Sequence, residues 1–167
     1  LLLAGAGTGK TRVIIHRIVR LLQLGVPPEQ ILSVTFTNKA SREMRERVAR
    51  LVESEVAGRL TIGTFHAFCC RLLRQHIGRL GYSTRFNIAS SAYQVGLVRN
   101  IMAERGFAGE GFDPSAWLAN ISRAKSSLLD PDDLAASDHP KAADIAAVYA
   151  QYQEQLKAMD QLDFDDL

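Results

Sequence analysis

At 167 residues, with 47% hydrophobic and 23% charged residues, the chain has the size and composition of a globular protein with one compact domain, or a core with a small satellite. It has no apolar run near the ~18 residues of a membrane span, and its start lacks the basic flank of a signal peptide, so we expect no membrane partner. The net charge is only +2, but the charges are unevenly distributed.

The two halves of the chain carry opposite charge. Residues 1–85 contain 14 Lys and Arg against 5 Asp and Glu, whereas residues 86–167 contain 6 against 13. By bulk charge the first half could attract a polyanion such as a nucleic acid, and the second half could not. Two differently decorated solvated faces would give the same numbers, so charge alone leaves both interpretations open.

The cysteines and the first residue indicate where the protein works and how complete the sequence is. Cys69 and Cys70 are adjacent and have no disulfide partner, which favours a reduced, cytoplasmic location. No metal-ligand spacing joins them to the histidines, so we expect no structural zinc. Because there is no starting methionine, we interpret the chain as a piece of a longer protein that begins inside its first strand.

Strand and helix patterns alternate along the first half of the chain. The predicted strands are 1–4, 31–37, 60–65 and 86–89, and the helices between them are 11–24, 41–52 (capped by Ser41) and 67–80. From residue 90 onward the pattern predicts only helices, over 91–105, 114–128, 131–136 and 141–159. The expected buried faces are Ile14, Ile18, Leu21 and Leu22; Met44, Val48, Leu51 and Val52; and Ile145, Val148, Tyr149, Tyr152, Leu156 and Met159.

This order of elements predicts the fold class. Alternating strands and helices with short connections indicate βαβ units and a parallel sheet, so we expect an α/β protein. We divide the chain into an α/β core over 1–89, a helical insertion over 90–159 and a return to the core over 160–167.

The stretch AGAGTGKT, residues 4–11, has the features of a phosphate-binding loop. Glycines let backbone N–H groups converge on a phosphate, and the following helix adds its positive end. The loop would comprise Gly5, Ala6, Gly7, Thr8 and Gly9, with Lys10 reaching the β and γ phosphates and Thr11 ligating Mg²⁺. A plain turn of small residues is the alternative, and the strict pattern has glycine in place of Ala4. We predict binding of a nucleoside triphosphate, although the motif does not say which reaction follows.

Two further segments follow predicted strands, at the edge of an α/β sheet where ligands bind. Thr37, Asn38 and Lys39 offer short polar groups and a cation before a helix, which suits a sugar–phosphate backbone. Thr64, Phe65 and His66 follow the next strand, and an aromatic ring there could stack on a base. Taken singly, Phe65 could equally be a core residue, Lys39 a solvated cation and His66 a partner of a backbone carbonyl.

Together these segments resemble a known family. AGAGTGKT, TFTNKASREM, GTFHAFCCRLLR and LDFDDL, in this order and spacing, are similar to the start of the UvrD/PcrA/Rep family of superfamily 1 DNA helicases. The stretch ISRAKSSLLDP, residues 121–131, and the spacing of Tyr149, Tyr152 and Leu156 resemble that family's helical insertion. The resemblance covers essentially the whole chain.

The resemblance implies a RecA-like P-loop NTPase domain with a helical inserted subdomain. It implies ATP-driven movement along single-stranded DNA in the 3′ to 5′ direction, separation of strands at single-strand/double-strand junctions, and a second motor domain as a partner in the same chain. The implied site residues are Gly7, Gly9, Lys10 and Thr11 for phosphates, Mg²⁺ and catalysis; Arg12 near the adenine; Thr37, Asn38, Lys39, Thr64, Phe65 and His66 for DNA; and residues 163–165 beside the DNA path.

Several parts of the family's machinery are not in this sequence. The resemblance places an adenine-reading glutamine before Leu1, and an acidic motif and an arginine finger after Leu167. A catalytically silent nucleic-acid-binding fragment therefore remains an alternative. A small-molecule P-loop kinase is another, although it predicts a lid with more arginines than the acidic helical region offers. The cluster of Asp163, Asp165 and Asp166 follows a helix rather than an apolar strand, which disfavours a catalytic carboxylate, and it could be a solvated helix end.

Overall fold

The computed structural model describes residues 9–107, 113–138 and 140–167. The predicted first strand, residues 1–4, and residues 5–8 of the glycine-rich loop lie outside the described residues. The chain divides into two compact units, one ending at Arg71 and the other beginning at Leu72. The division at residues 89 and 159 stays a prediction.

The first unit combines helices with a parallel strand pair. Its elements are α1 (Lys10–Gln23), β1 (Leu32–Thr35), α2 (Asn38–Ala49), α3 (Ser54–Arg59), β2 (Thr61–Thr64) and the start of α4 (Phe65–His76). Strands β1 and β2 run parallel, with Leu32 opposite Thr61 and Thr35 opposite Thr64. The core of this unit consists of Ile15, Ile18, Ile31, Met44, Val48, Leu60 and Ile62.

Some details of the first unit differ from the sequence prediction. Ile15 is buried and Ile14 is 44% exposed, because adjacent isoleucines fit a helical period equally well and packing selects between them. Leu51 is also exposed, since α2 ends at Ala49. Helix α3 was not predicted; it spans fewer than two turns and contains Gly58, so it has little periodicity to detect.

The start of α2 is a further correction. The helix begins at Asn38, and Thr37, with an extended backbone, is its N-cap: the Thr37 hydroxyl oxygen accepts a hydrogen bond from the Ala40 N–H at 3.1 Å. Ser41, the predicted cap, is buried within the helix and donates its hydroxyl to the Asn38 carbonyl at 3.0 Å. The cap therefore lies four residues earlier, within the candidate DNA-binding segment.

The second unit packs helices beside a two-residue parallel strand pair. Its elements are the remainder of α4, β3 (Asn87–Ile88), α5 (Ser91–Glu104), α6 (Pro114–Ser126), α7 (Pro131–Ala135), α8 (Ala142–Ala158) and β4 (Gln161–Leu162). The four helices predicted after residue 90 are thus confirmed, and the chain enters β4 after the last of them. Asn87 pairs with Gln161 and Ile88 with Leu162.

The helices of this unit enclose a well-packed core. Its fully or nearly fully buried members include Val98, Ile101, Met102, Trp117, Ile121, Ile145, Val148, Tyr152 and Leu156. Met159, predicted in this stripe, is 57% exposed because it lies one residue beyond α8. None of the helices in residues 9–107, 113–138 and 140–167 combines the length and apolar character needed to cross a bilayer.

Candidate functional site

The beginning of α1 is suited to an anion. Gly9 precedes the helix with φ +82° and ψ 16°, a left-handed conformation that disfavours any residue with a Cβ. A Cβ there would meet no atom within 4 Å, so backbone conformation, rather than space, requires the glycine.

Positive charge is concentrated in the first turn of α1. Lys10, Thr11 and Arg12 are exposed there, and the turn has no acidic residue. The first-turn N–H groups have no intrahelical acceptor, and the helix dipole places partial positive charge beside the two cations. The described part of the glycine-rich motif is therefore electropositive and accessible, as a phosphate site requires.

The end of β1 leads directly into α2 through a short, hydrogen-bonded turn. The Thr35 hydroxyl donates to the Thr37 carbonyl oxygen at 3.1 Å, and Thr37 in turn caps α2. Asn38 and Lys39 occupy the exposed first turn of that helix. The three predicted DNA-contacting residues of this segment are thus held at a second helix N-terminus.

The end of β2 is built in a similar way. Thr64 is buried, and its hydroxyl oxygen accepts the N–H of Ala67 at 3.2 Å, which stabilises the first turn of α4. Phe65 and His66 follow on this turn and are exposed. Phe65 is therefore not a core residue, whereas the Thr64 side chain serves the helix start and is largely withdrawn from solvent.

Strand register brings these two segments to the same edge of the sheet. Thr35 and Thr64 are partners at the ends of parallel β1 and β2, so the residues that follow them leave the sheet side by side. The rings of Phe36 and Phe65 contact each other with centroids 5.6 Å apart and planes inclined by 46°. Phe36 is 91% exposed and Phe65 is 48% exposed. An exposed aromatic pair of this kind can stack on flat ligands such as nucleobases.

The sequence prediction missed Phe36. Its position immediately after β1 matches the position of Phe65 after β2, and that equivalence was the available signal. Aromatic residues are common in strands, so the prediction extended the strand to residue 37 and treated Phe36 as part of it.

The acidic cluster near the end of the chain is not a solvated helix end. The side chains of Lys125, Asp163 and Asp166 are only 5%, 2% and 13% exposed. The Lys125 ammonium donates to Asp163 Oδ2 at 2.7 Å and to Asp166 Oδ1 at 2.8 Å. We call these three residues the lysine–aspartate cluster. Asp165, in contrast, is exposed.

The pKa values of the two carboxylates in this cluster are shifted in opposite directions. Burial alone would raise the pKa of Asp163, but attraction to Lys125 and hydrogen bonds from Lys125 and Tyr152 outweigh it and hold the pKa below its usual value. Burial raises the pKa of Asp166, and the Asp163 charge adds to this against the attraction of Lys125. One ammonium thus faces two buried carboxylates, and Asp166 is the carboxylate whose negative charge is less well compensated.

Comparison with known proteins identifies relatives over the full chain. The UvrD/REP helicase N-terminal domain family matches residues 1–167. The chain is 43% identical to the ATP-dependent DNA helicase PcrA of Leuconostoc citreum over 169 residues and 43% identical to PcrA of Bacillus subtilis (strain 168) over 171 residues. It is 40% identical to PcrA of Staphylococcus aureus (strain Mu50) over 170 residues. In each comparison all of this chain is covered, but only 23% of the relative.

Proposed function

The chain belongs to the UvrD/REP helicase N-terminal domain family, and from this premise we propose that it is the nucleotide-binding and DNA-binding front portion of an ATP-dependent DNA helicase. In the complete protein, ATP hydrolysis drives movement along single-stranded DNA and separation of strands at junctions with double-stranded DNA. The observation that carries the proposal is the pair of helix starts and exposed aromatic rings assembled at one edge of the parallel strands β1 and β2.

The nucleotide site is assigned to the glycine-rich motif. The left-handed Gly9 and the cationic, carboxylate-free first turn of α1 fit a triphosphate. Gly5, Ala6, Gly7, Thr8 and Gly9 provide backbone N–H groups, Lys10 neutralises phosphate charge, and Thr11 supplies the hydroxyl ligand for Mg²⁺. Arg12 is exposed in the same turn, and we assign it a position near the base of the nucleotide. Bound ATP supplies the free energy for movement; these residues bind and orient its phosphates.

The DNA site is assigned to the two segments that follow β1 and β2. Thr37, Asn38 and Lys39 contact the sugar–phosphate backbone, and Phe65 and His66 contact the next part of the strand, with Thr64 shaping the turn beneath them. Phe36 joins this set because its ring is exposed beside that of Phe65. The two rings give the strand a stacking surface that does not depend on base sequence.

We assign the chain the architecture of a first motor domain with an inserted helical subdomain. The first motor domain is RecA-like, with the helices after residue 90 inserted between β3 and β4 and with residues 163–165 returning beside the DNA path. A second motor domain in the same chain completes the ATP site, movement runs 3′ to 5′, and the protein works in the cytoplasm.

We infer that the carboxylate that positions the attacking water belongs to another part of the complete protein. Asp163 and Asp166 are committed to Lys125, so neither is available for that role. We therefore assign the isolated chain nucleic-acid and nucleotide binding with little hydrolysis, and the full reaction to the complete protein.

Single-stranded DNA as an activator separates a motor from a small-molecule kinase. ATP hydrolysis by the full-length protein is measured with and without single-stranded DNA, and strong stimulation is expected. Hydrolysis that is unaffected by DNA but stimulated by a small phosphate acceptor would reject the helicase assignment and favour the kinase.

A further inference from the structure

The turn that follows β4 has two residues facing inward and two facing outward. Asp163 is 1% exposed and the side chain of Asp166 is 13% exposed, whereas Phe164 is 53% exposed and Asp165 also faces solvent. The two inward carboxylates brace each other through the backbone: the Asp166 N–H donates to Asp163 Oδ1 at 2.9 Å, and the Asp163 N–H donates to Asp166 Oδ2 at 2.9 Å.

This turn is tied to the helices by side chains from two of them. Lys125 reaches both carboxylates from α6, and from α8 the Tyr152 hydroxyl donates to Asp163 Oδ2 at 2.9 Å. Gln153, also on α8, donates to Asp166 Oδ1 at 3.2 Å. Every carboxylate oxygen of the cluster thus has at least one donor, which a buried charged group requires to be tolerated.

Lys125 contributes the charge on which this arrangement depends. Without its ammonium, two carboxylates would face each other in a largely buried site, an arrangement that is strongly unfavourable. The rings of Tyr149 and Tyr152 lie 5.9 and 5.2 Å from the ammonium and wall it from solvent. Tyr82 interacts electrostatically with all three residues of the cluster. Asp130 acts on the neighbouring Tyr149 and Asp165 on the neighbouring Tyr152, and none of these three groups is a cation.

We propose that Lys125 is a positioning residue, whose ammonium fixes the turn 163–166 to helix α6 and so sets the outward orientation of Phe164 and Asp165. The helical region and the chain that leaves β4 then move as one body. The attachment of the turn to α6 follows from the geometry of the lysine–aspartate cluster alone. Only its effect on DNA rests on the proposed function.

Hydrogen exchange of the full-length protein tests the fixing directly. The N–H groups of Asp163 and Asp166 report the turn, and those of Val98 and Ile101 in α5 report the core. In Lys125→Met the two turn amides are expected to lose protection by about tenfold or more, which corresponds to about 1.4 kcal/mol of local stability, while the core amides do not change. Lys125→Arg, which keeps a cation, is expected to retain most of the protection.

Several results would overturn the proposal. Wild-type protection of the turn amides in Lys125→Met would do so, and so would equal losses in the Met and Arg variants. Lys125→Met could also lower the protection of the α5 amides. In that case the experiment is repeated with the double variant Lys125→Met with Asp166→Asn, because the second substitution removes the repulsion between the two carboxylates. The turn amides are still expected to exchange faster there, and their full protection would refute the role of Lys125.

A second measurement addresses the effect on DNA. If the turn lies beside the DNA, Lys125→Met is expected to raise the DNA concentration that half-saturates ATP hydrolysis by about fivefold or more, with a maximal rate within about twofold of wild type. An unchanged half-saturating concentration with unprotected turn amides would overturn the effect on DNA. If DNA does not stimulate the wild-type protein, the proposed function fails, and hydrogen exchange still decides the role of Lys125.

Discussion

Phe36 and Phe65 lie far apart in the sequence, yet their rings contact each other at 5.6 Å because they follow partner residues at the ends of parallel β1 and β2. These two rings leave much of their apolar surface in contact with water and contribute little to the hydrophobic core of the first unit. Its position beside two helix N-termini explains why the proposed DNA-binding surface is assigned there.

Removing either ring is expected to weaken binding of single-stranded DNA. Phe36→Ala or Phe65→Ala should lower the affinity of the full-length protein by roughly 5- to 150-fold, since base–aromatic stacking contributes ~1–3 kcal/mol per base. Fluorescence anisotropy with a labelled oligonucleotide measures this. Phe36→Tyr keeps the ring and should bind normally. Leu128→Ala, which truncates a side chain that is 92% exposed, is the matched control; an equal loss in that variant would contradict the stacking role.

Two lysines should separate nucleotide chemistry from DNA binding. Lys10→Ala in the full-length protein is expected to abolish DNA-stimulated ATP hydrolysis while leaving much of the DNA binding, because it removes the cation that the proposal assigns to the β and γ phosphates. Lys39→Ala should do the reverse, weakening DNA binding while basal ATP hydrolysis persists. Parallel hydrolysis and anisotropy measurements on both variants check the prediction. Retained DNA-stimulated turnover in Lys10→Ala would reject the role given to Lys10.

Gly9 and Gly96 should respond in opposite ways to the same substitution. A Cβ at either position would meet no atom within 4 Å, but Gly9 has φ +82° and Gly96 lies within α5. Gly9→Ala is therefore expected to cost on the order of 1–2 kcal/mol of backbone strain and to weaken nucleotide binding. Gly96→Ala should stabilise α5 by up to about 1 kcal/mol. Thermal unfolding and binding of a fluorescent ATP analogue compare the two, and a destabilising Gly96→Ala would contradict the argument.

The two aspartates that share Lys125 should differ in their effect on stability and on its pH dependence. Because the native pKa of Asp163 is lowered, its ionised form stabilises the native state above the unfolded carboxyl pKa, and this is lost as pH falls through the native value. The native pKa of Asp166 is raised, so its charge disfavours the native state at neutral pH. At pH 7, Asp163→Asn is expected to cost on the order of 3 kcal/mol, and Asp166→Asn no more than about 1 kcal/mol.

Hydrogen exchange of the Val98 and Ile101 amides, followed from about pH 2 to pH 7, measures the stability of this core across the range in which Asp163 becomes protonated. Asp166→Asn should keep the decline of wild-type stability in acid, and Asp163→Asn should lose most of it. If stability in acid declines in Asp163→Asn as it does in the wild type, and the decline is lost in Asp166→Asn, then Asp166 rather than Asp163 carries the stabilising charge.

The sequence was sufficient for the features that depend on periodicity and on local motifs. The helices after residue 90 have continuous apolar stripes, and their bounds were predicted to within two residues. Hydrogen-bond geometry was less accessible: Thr37 and Ser41 are both good N-caps, and only the backbone conformation of Thr37 shows which one is used.

Contacts between distant residues could not be predicted from local sequence. Nothing near Lys125 indicates that its ammonium meets Asp163, because that contact depends on how α6 packs against the chain that leaves β4. The pairing of Phe36 with Phe65 likewise requires the register of β1 against β2. Both contacts are carried by a few polar or exposed side chains, which leave no periodic pattern.

The register of β3 with β4 has a consequence for how such chains can diversify. Because Ile88 lies opposite Leu162, the stretch between them starts and finishes at neighbouring points. Insertions, deletions or new surface chemistry within that stretch would leave both strand ends where they are. Related proteins can thus differ throughout the helical region while the paired strands β3 and β4 at its two ends stay in the same place.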